Sequence, residues 1–346
     1  MSEHLAQNEA GPRPRTWPES LPQRPAPANI DGPPPAAAKA VRFDLLANST
    51  VEQALGRTLQ YCLTHLRANE VCVLESDDPG GVHQMRVALR RLRSAFRLFR
   101  SVLPKARYRA VAGEMKWLTG RLEAARDWDV FAGEIVAPVA AEAPGEAPGE
   151  EFGALLDRLR TARRKSRHAA REAVRSPRYQ RFVADLGAWL ARRAWRDEAA
   201  EAVLVAPMAG PADALLAGCR ERVAARGERF AALSPAERHR LRIAVKRLRY
   251  ATDFFGSLYD PAAVGPYSAR LTDIQDALGH RNDIVVARRL IGQLRSRCAG
   301  DEAEECRRAG ALVMDWHERA QARSEATLAR DIGAFIAWPP FWPRRG

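Results

Sequence analysis

The chain has 346 residues, with 55 Lys plus Arg against 42 Asp plus Glu, a formal net charge of +13 and a pI near 10.2. This excess of cations favours polyanionic partners such as nucleic acid, anionic membrane surfaces or polymeric phosphate. The five cysteines form no CxxC pair, no apolar run approaches the roughly 18 residues of a membrane span, and no leader peptide is evident, so we predict a soluble cytoplasmic protein.

A proline-rich segment opens the chain. Residues 1–44 hold nine of the 23 prolines. Proline at this density blocks both helix and strand, and we therefore predict a disordered tail over 1–44. The segment carries equal numbers of basic and acidic residues, so the net charge of the chain belongs to the predicted folded part.

From Ser49 onward the apolar residues recur with helical spacing, and no alternating strand pattern is found. Ser49 or Thr50 is a candidate N-cap for a long helix through "VEQALGRTLQYCLTHLRANEVCVLE". A strongly basic helix, "VHQMRVALRRLRSAFRLFR" (82–100), follows it. A third helix is predicted over roughly 105–125, and a fourth begins after "RDWD" (126–129).

A Pro/Gly linker, "AEAPGEAPGE" (141–150), separates these helices from two more at about 150–175 and 178–198. A second break, "VLVAPMAGP" (203–211), precedes a further series of helices that continues to about residue 335. The sequence therefore predicts an all-α protein whose helices pack as bundles.

Two parts of the chain match each other. "HQMRVALRRLRSAFRLF" (83–99) aligns with "HRLRIAVKRLRYATDFF" (239–255), and "LEAARDWDV" (122–130) aligns with "LGHRNDIVV" (278–286) at the same offset of 156 residues. Because two separate motifs keep their spacing, we predict two structurally similar halves. The expected boundaries are a folded domain over 45–335, halves over about 45–200 and 208–335, and a C-terminal tail over 336–346.

Each basic helix, at about 100° per residue, carries an apolar stripe with a row of cations beside it. Arg91 and Arg247 lie off these rows within the matched motif, and Asp253 shortens the second row where the first has Arg97. The first row contains His83, Arg86, Arg90, Arg93, Arg97 and Arg100, and the second contains His239, Arg242, Lys246 and Arg249.

Like charges three or four residues apart repel by about 0.2–0.5 kcal/mol per pair. A single basic helix is readily explained as a solvated face whose arginine stems cover apolar surface. Two copies in register instead favour two rows that line a common groove and bind an extended polyanion.

The doubled HxxRxxxRRLR-type motif, together with "RDWDV" and "LGHRND", resembles the conserved histidine α-helical domain (CHAD) family over about residues 45–335. The resemblance implies two four-helix halves related by pseudo-twofold symmetry, with basic helices around a positively charged central channel. It also implies binding of inorganic polyphosphate and association with polyphosphate granules. The ExExK motif of the triphosphate-tunnel domains fused to some members is absent from this sequence.

The chain departs from the pattern of the family in several places. Leu122 and Glu123 stand where the second half keeps Leu278 and Gly279, the 141–150 insertion is confined to the first half, and Asp253 weakens the second row. The central basic residues are kept in both halves. How evenly the two halves contribute to binding is left open.

Arginine presents parallel N–H donors that bridge phosphate oxygens with charge-assisted bonds. A second arginine row, along "LLDRLRTARRKSRHAAREAVRSPR", is either a solvated face or an extension of the site. The candidate polyphosphate-binding residues are His83, Arg86, Arg90, Arg91, Arg93, Arg97, His239, Arg242, Lys246, Arg247 and Arg249, with Arg160, Arg164, Arg167 and Arg171 of the second row.

The roles of the histidines and aspartates are left as alternatives. His83 and His239 are either core or capping residues or direct phosphate ligands, and the second role predicts tighter binding at pH 6 than at pH 8. Asp127 and Asp283 are predicted to be helix N-caps or salt-bridge partners of arginines, and no metal or cofactor site is expected.

Two other classes of function compete with a non-catalytic polyphosphate-binding module. A helical protein that binds nucleic acid would use the same rows, although the aromatic residues Phe96 and Phe99 lie on the core side rather than where bases would stack. A phosphohydrolase would need a metal cluster, an activated nucleophile or a phosphate loop. The sequence contains no HD dipeptide and no GxxxxGK[ST], HExxH or GxSxG motif, so we predict no catalysis.

Overall fold

The computed structural model describes residues 34–41, 43–142 and 152–343. Apart from an isolated bridge between Thr50 and Pro207, these residues form helices, turns and loops without a strand, which confirms the predicted all-α class. None of the described helices is both long and apolar enough to cross a bilayer. The α-helices are α1 Val51–Arg67, α2 Glu70–Glu75, α3 Pro79–Leu98, α4 Lys105–Val130, α5 Ala137–Glu142, α6 Gly153–Arg175, α7 Pro177–Ala191, α8 Glu201–Leu204, α9 Ala209–Gly227, α10 Pro235–Phe255, α11 Pro261–Arg295 and α12 Gly300–Ala337.

Side chains placed just before the helices fix where they begin. At α1, Thr50 Oγ1 accepts a hydrogen bond from the Gln53 amide (3.2 Å) and Gln53 Oε1 accepts one from the Thr50 amide (2.9 Å), so Thr50 is confirmed as a cap. Ser234 and Glu237 form the same reciprocal pair at α10, and Asp78 caps α3. Both basic helices therefore start at a defined residue.

Three of the predicted helix boundaries are wrong. The helix predicted over about 178–198 ends at Ala191, and the chain continues in turns. The first predicted helix breaks between α1 and α2, where Asn69 Nδ2 donates to the His65 carbonyl oxygen (3.0 Å) and competes with the helical backbone. α4 runs through "RDWD" without a break, because this stretch contains neither glycine nor proline and Trp128 and Asp129 are buried. No fourth helix begins there. A π-helical turn, Phe131–Val136, leads on to α5.

The sequence repeat reappears in the helix bounds. α3 and α10 begin at Pro79 and Pro235, and α4 and α11 begin at Lys105 and Pro261, so both pairs keep the offset of 156 residues. α3 packs against α1 and α4, α10 packs against α9 and α11, and the two basic helices contact each other.

The core consists of two clusters of buried apolar residues. The larger cluster includes the rings of Phe99 and Phe255, which meet edge to face with their centroids 5.9 Å apart and join α3 to α10. The smaller cluster lies between the end of α4, the start of α6, the end of α11 and the start of α12. Each cluster therefore brings together residues that are far apart in the sequence.

Segments at both ends of the predicted domain pack on the helices. Phe43 lies on Tyr61 with a centroid distance of 4.8 Å, and Trp342 is buried on Tyr267 at 5.7 Å. The packed part of the chain thus extends beyond the predicted domain bounds of 45–335. Residues 1–33 of the predicted tail, Arg42, residues 143–151 in and after the predicted linker, and residues 344–346 lie outside the described part of the chain.

Candidate functional site

α3 and α10 each place an apolar stripe in the core and a row of cations at its edge. The apolar stripes are buried as predicted: Met85, Leu89 and Leu92 on α3, and Leu241, Val245 and Leu248 on α10. The cations beside them are partly buried: Arg86, Arg90 and Arg93 on α3, and Arg242, Lys246 and Arg249 on α10. Because α3 and α10 contact each other, the edges of the two stripes face a shared region.

Arg86, Arg90, Arg242 and Lys246 form what we call the central cluster. Burial, followed by repulsion from Arg242 and Arg90, lowers the pKa of Lys246 to about 7. Burial also lowers the pKa of Arg242, with an additional contribution from Arg90. The two rows are therefore close enough for their charges to act on one another.

No carboxylate oxygen lies within 4.0 Å of a cationic nitrogen of the central cluster in the described part of the chain. Arg86 Nη1 donates to the Thr119 carbonyl oxygen (3.2 Å), whereas the Nε atoms of Arg86, Arg90 and Arg242 are buried without a hydrogen-bond partner. Buried polar groups are normally paired, and buried charges normally have a counter-charge. The central cluster has the donors and the positive charge to bind an anion.

Two aspartates at matching positions of the repeat lie near the central cluster without forming ion pairs with it. Burial raises the pKa of Asp127 and of Asp283, while Arg86 and Arg242 respectively lower them. Both residues lie inside helices, so the N-cap alternative is wrong; the salt-bridge alternative is confirmed for Asp127, whose Oδ2 accepts from Arg289 Nη2 at 2.9 Å. No group of three metal-ligating side chains comes together in the described residues.

The two histidines at the starts of the rows have different surroundings. His83 is partly buried, and burial followed by repulsion from Arg126 and Arg90 lowers its pKa to about 4, so the ring is neutral at pH 7. His239 is exposed and lines a groove of about 530 Å³ together with Arg242, Arg281 and apolar residues of α11. Direct phosphate contact by either histidine stays a prediction.

Three further candidates, Arg93 and Arg97 of the first row and Arg247 of α10, lie beside the central cluster. Arg93 Nη2 donates to Thr119 Oγ1 (3.2 Å), and burial lowers the pKa of Arg93 with a further contribution from Arg97, which is exposed. Arg247 is partly buried, and burial followed by repulsion from Arg97 lowers its pKa. Arg93, Arg97 and Arg247 make no ion pair within the described ranges.

Arg91 differs from the other candidates. Its Nη1 donates to Asp253 Oδ2 at 3.0 Å, the two side chains are 10% and 21% exposed, and its guanidinium lies over the rings of Tyr61 and Phe254 (5.2 Å each). Arg91 therefore has a counter-charge inside the protein, in contrast to the central cluster, although its Nε is also buried without a hydrogen-bond partner. Because of this ion pair we place Arg91 outside the central cluster. Asp253, which the sequence suggested only as a loss of charge from the second row, binds this arginine and joins α3 to α10.

The arginine row on α6 also has internal partners. Arg167 and Arg171 bind Asp129 (2.9 Å) and Asp77 (2.8 Å), Arg160 pairs with Asp157, and Arg164 lies 3.5 Å from the Thr161 hydroxyl. The four arginines line a groove of about 730 Å³ together with Asp77 and Asp157, so its walls carry charges of both signs. The row is thus largely neutralised, and we place it outside the central cluster.

Sequence reasoning missed Arg126 of α4, which contributes to the low pKa of His83 and lies near Arg86. It belongs to "RDWD", the second repeated motif, and that motif is the one signal that points to it. Its place near the start of the first row depends on how α4 packs against α3.

Comparisons with known proteins agree with the fold and the motif. The family model of the CHAD domain matches residues 57–292. The crystal structure of the CHAD domain from the plant Ricinus communis is similar with a TM-score of 0.74 and 32% identity, over 90% of this chain and 99% of that one. PptA from Streptomyces chartreusis shares the fold, with a TM-score of 0.60 and 18% identity, over 83% of this chain and 100% of that one. No curated protein sequence matches significantly.

Proposed function

Because the chain belongs to the CHAD domain family, we propose that it binds inorganic polyphosphate without catalysis through the central cluster. The observation that carries the proposal is that four partly buried cations on two helices lie together without a carboxylate partner in the described residues. Polyphosphate carries a negative charge on each repeating phosphate, so one chain supplies several charge-assisted bonds at once.

We further propose that the two halves are related by pseudo-twofold symmetry and that the central cluster lines a basic channel. The equal offset of α3 to α10 and of α4 to α11 supports the symmetry. Arg93, Arg97 and Arg249 extend the wall of this channel, and His83 and His239 lie at the starts of its two rows. A protein of this kind would be found in the cytoplasm, at polyphosphate granules.

Calorimetric titration with long-chain polyphosphate at two salt concentrations tests the proposal. We expect tight binding that weakens as salt rises, because the ligand neutralises several cations and releases counterions. Short duplex DNA, compared at equal phosphate concentration and salt, is expected to compete poorly because a rigid duplex does not enter a region lined by partly buried side chains. Equal competition by duplex DNA would instead support the nucleic-acid alternative.

We expect long-chain polyphosphate to bind about tenfold more tightly at pH 6 than at pH 8, with Lys246 as the cause. With a pKa of about 7 in the free protein, Lys246 is mostly charged at pH 6 and mostly neutral at pH 8. A bound polyanion favours the charged form, so binding takes up a proton above pH 7. In the absence of ligand, the unfolded chain holds this proton between about pH 7 and pH 10.5, and the lysine therefore makes stability rise with pH across that range.

Lys246→Arg is the matched control for this pH dependence, because arginine stays charged throughout. Affinity measured from pH 6 to pH 8 is expected to be nearly flat in this variant. If the affinity of this variant still falls with pH as steeply as that of the wild type, the pH dependence comes from His83 or His239 and the role of Lys246 is contradicted.

A further inference from the structure

A second group of cations lies beside the central cluster, and the repeat explains why it is found on one side only. At the offset of 156 residues, Arg91 corresponds to Arg247 and Arg97 corresponds to Asp253. On one side of the α3–α10 pair, Arg91 and Asp253 form the 3.0 Å ion pair. The residues at the matching positions of the repeat, Arg247 and Arg97, are two cations instead of an ion pair, and they are close enough for Arg97 to lower the pKa of Arg247.

α9 adds two more arginines to this side. Arg222 and Arg226 lie one helical turn apart on α9, which packs against α10. Arg222 Nη2 lies 3.4 Å from Cys219 Sγ, and Arg226 Nη1 donates to the Arg222 carbonyl oxygen at 3.2 Å. After burial and Arg97, the next contribution to the lowered pKa of Arg247 comes from Arg222, and Arg226 also contributes.

These four arginines have no carboxylate within 4.0 Å in the residues that the structure describes. Elsewhere on the surface, arginines in comparable rows are paired, as Arg160, Arg167 and Arg171 are on α6. Arg97 and Arg222 are exposed, and Arg247 is partly buried between them and the core. A ligand from solvent therefore has access to a group of cations contributed by three helices.

The group is continuous with the central cluster through Arg93, which lies between Arg90 and Arg97 on the same row. From Arg86 to Arg97, α3 rises by about 16 Å. An anion chain that contacts the whole central cluster, from Arg86 onward, and continues to Arg97 therefore needs more repeating units than tripolyphosphate has.

We propose that Arg97, Arg222, Arg226 and Arg247 form a second polyanion subsite, which extends the central cluster on one side of the α3–α10 pair and selects long polyphosphate chains over short ones. This inference rests on the proposed function, since it concerns where a chain bound at the central cluster continues. Occupation of two linked subsites by one molecule multiplies the affinity, and the gain is available only to a ligand that spans both.

The test compares tripolyphosphate with long-chain polyphosphate by calorimetry on the wild type, on Arg222→Gln/Arg226→Gln and on a control, Arg297→Gln/Arg308→Gln. The control removes the same charge from two exposed arginines, Arg297 between α11 and α12 and Arg308 within α12. We expect the α9 variant to lose at least tenfold in affinity for the long chain and less than twofold for tripolyphosphate. Its salt dependence should fall by a slope of about 1.4, the value for two lost phosphate contacts of a single strand.

Each outcome decides between the two proposals. If the α9 variant and Arg97→Gln bind the long chain as tightly as the wild type does, the subsite is overturned and the proposed function stands. Equal losses for tripolyphosphate and the long chain, or equal losses in the control variant, also overturn the subsite. A wild type that binds neither ligand overturns the proposed function, and the subsite with it.

Discussion

Replacing Arg90 and Lys246 with glutamate is expected to weaken the binding of long-chain polyphosphate at least 100-fold. Each hydrogen bond to a charged group contributes about 1.5–3 kcal/mol, so the loss of two costs about 3–6 kcal/mol, and each 1.4 kcal/mol is a factor of ten. The two carboxylates also repel the ligand. Calorimetric titration at fixed salt and pH measures the effect.

The fold of this variant is expected to stay intact. The cations at these positions have no carboxylate partner in the described structure, and the new glutamates lie next to Arg86 and Arg242, with which they can pair. We therefore expect a thermal midpoint no lower than that of the wild type. Arg297→Glu/Arg308→Glu carries the same change in net charge at two exposed positions, between α11 and α12 and within α12. If this variant loses as much affinity, the effect belongs to overall charge and the central cluster is not the site.

Removing the Asp253 carboxylate is expected to lower the free energy of unfolding by about 3 kcal/mol. The Asp253→Ala variant leaves Arg91, which is 10% exposed, without its counter-charge, and breaking a buried pair on one side costs about 3–5 kcal/mol. We take the lower end of that range because Asp253 is 21% exposed. Denaturation by urea, analysed as a two-state transition, measures the change.

The double replacement Arg91→Met/Asp253→Leu distinguishes the cost of an unpaired buried charge from the cost of lost packing. Since well-packed apolar residues often replace a buried ion pair without loss, this variant is expected to lie within about 1.5 kcal/mol of the wild type. Affinity for polyphosphate is expected to be retained in Asp253→Ala, because the pair lies outside the central cluster. A destabilisation below 1 kcal/mol in the single variant would mean that Arg91 needs no counter-charge where it lies.

The two rows on α3 and α10 could be read from the sequence because they depend on helical period and on a repeat, both of which are local or alignable patterns. The repeated motif placed Arg91 among the ligands although the helical wheel sets it off the row, and neither pattern identifies the neighbour found there. That neighbour, Asp253, lies 162 residues away in the chain. Long-range pairing of this kind is set by tertiary packing alone.

Two further features needed the structure for the same reason. The arginines of α6 resemble those of α3 in spacing, yet Asp77 and Asp129 bind them from outside their own helix. The pKa of Lys246 depends on how deeply the side chain is buried and on Arg242 and Arg90 beside it. Spacing therefore identified candidate cations, whereas their partners and their protonation required the packed helices.

The contact between α3 and α10, including the edge-to-face pair of Phe99 and Phe255, means that one polypeptide supplies both sides of the central cluster. Many binding surfaces of this kind are built where two subunits meet, and their formation then depends on protein concentration. Here the partner helix is tethered on the same molecule, so the cluster assembles when the chain folds and persists at any dilution.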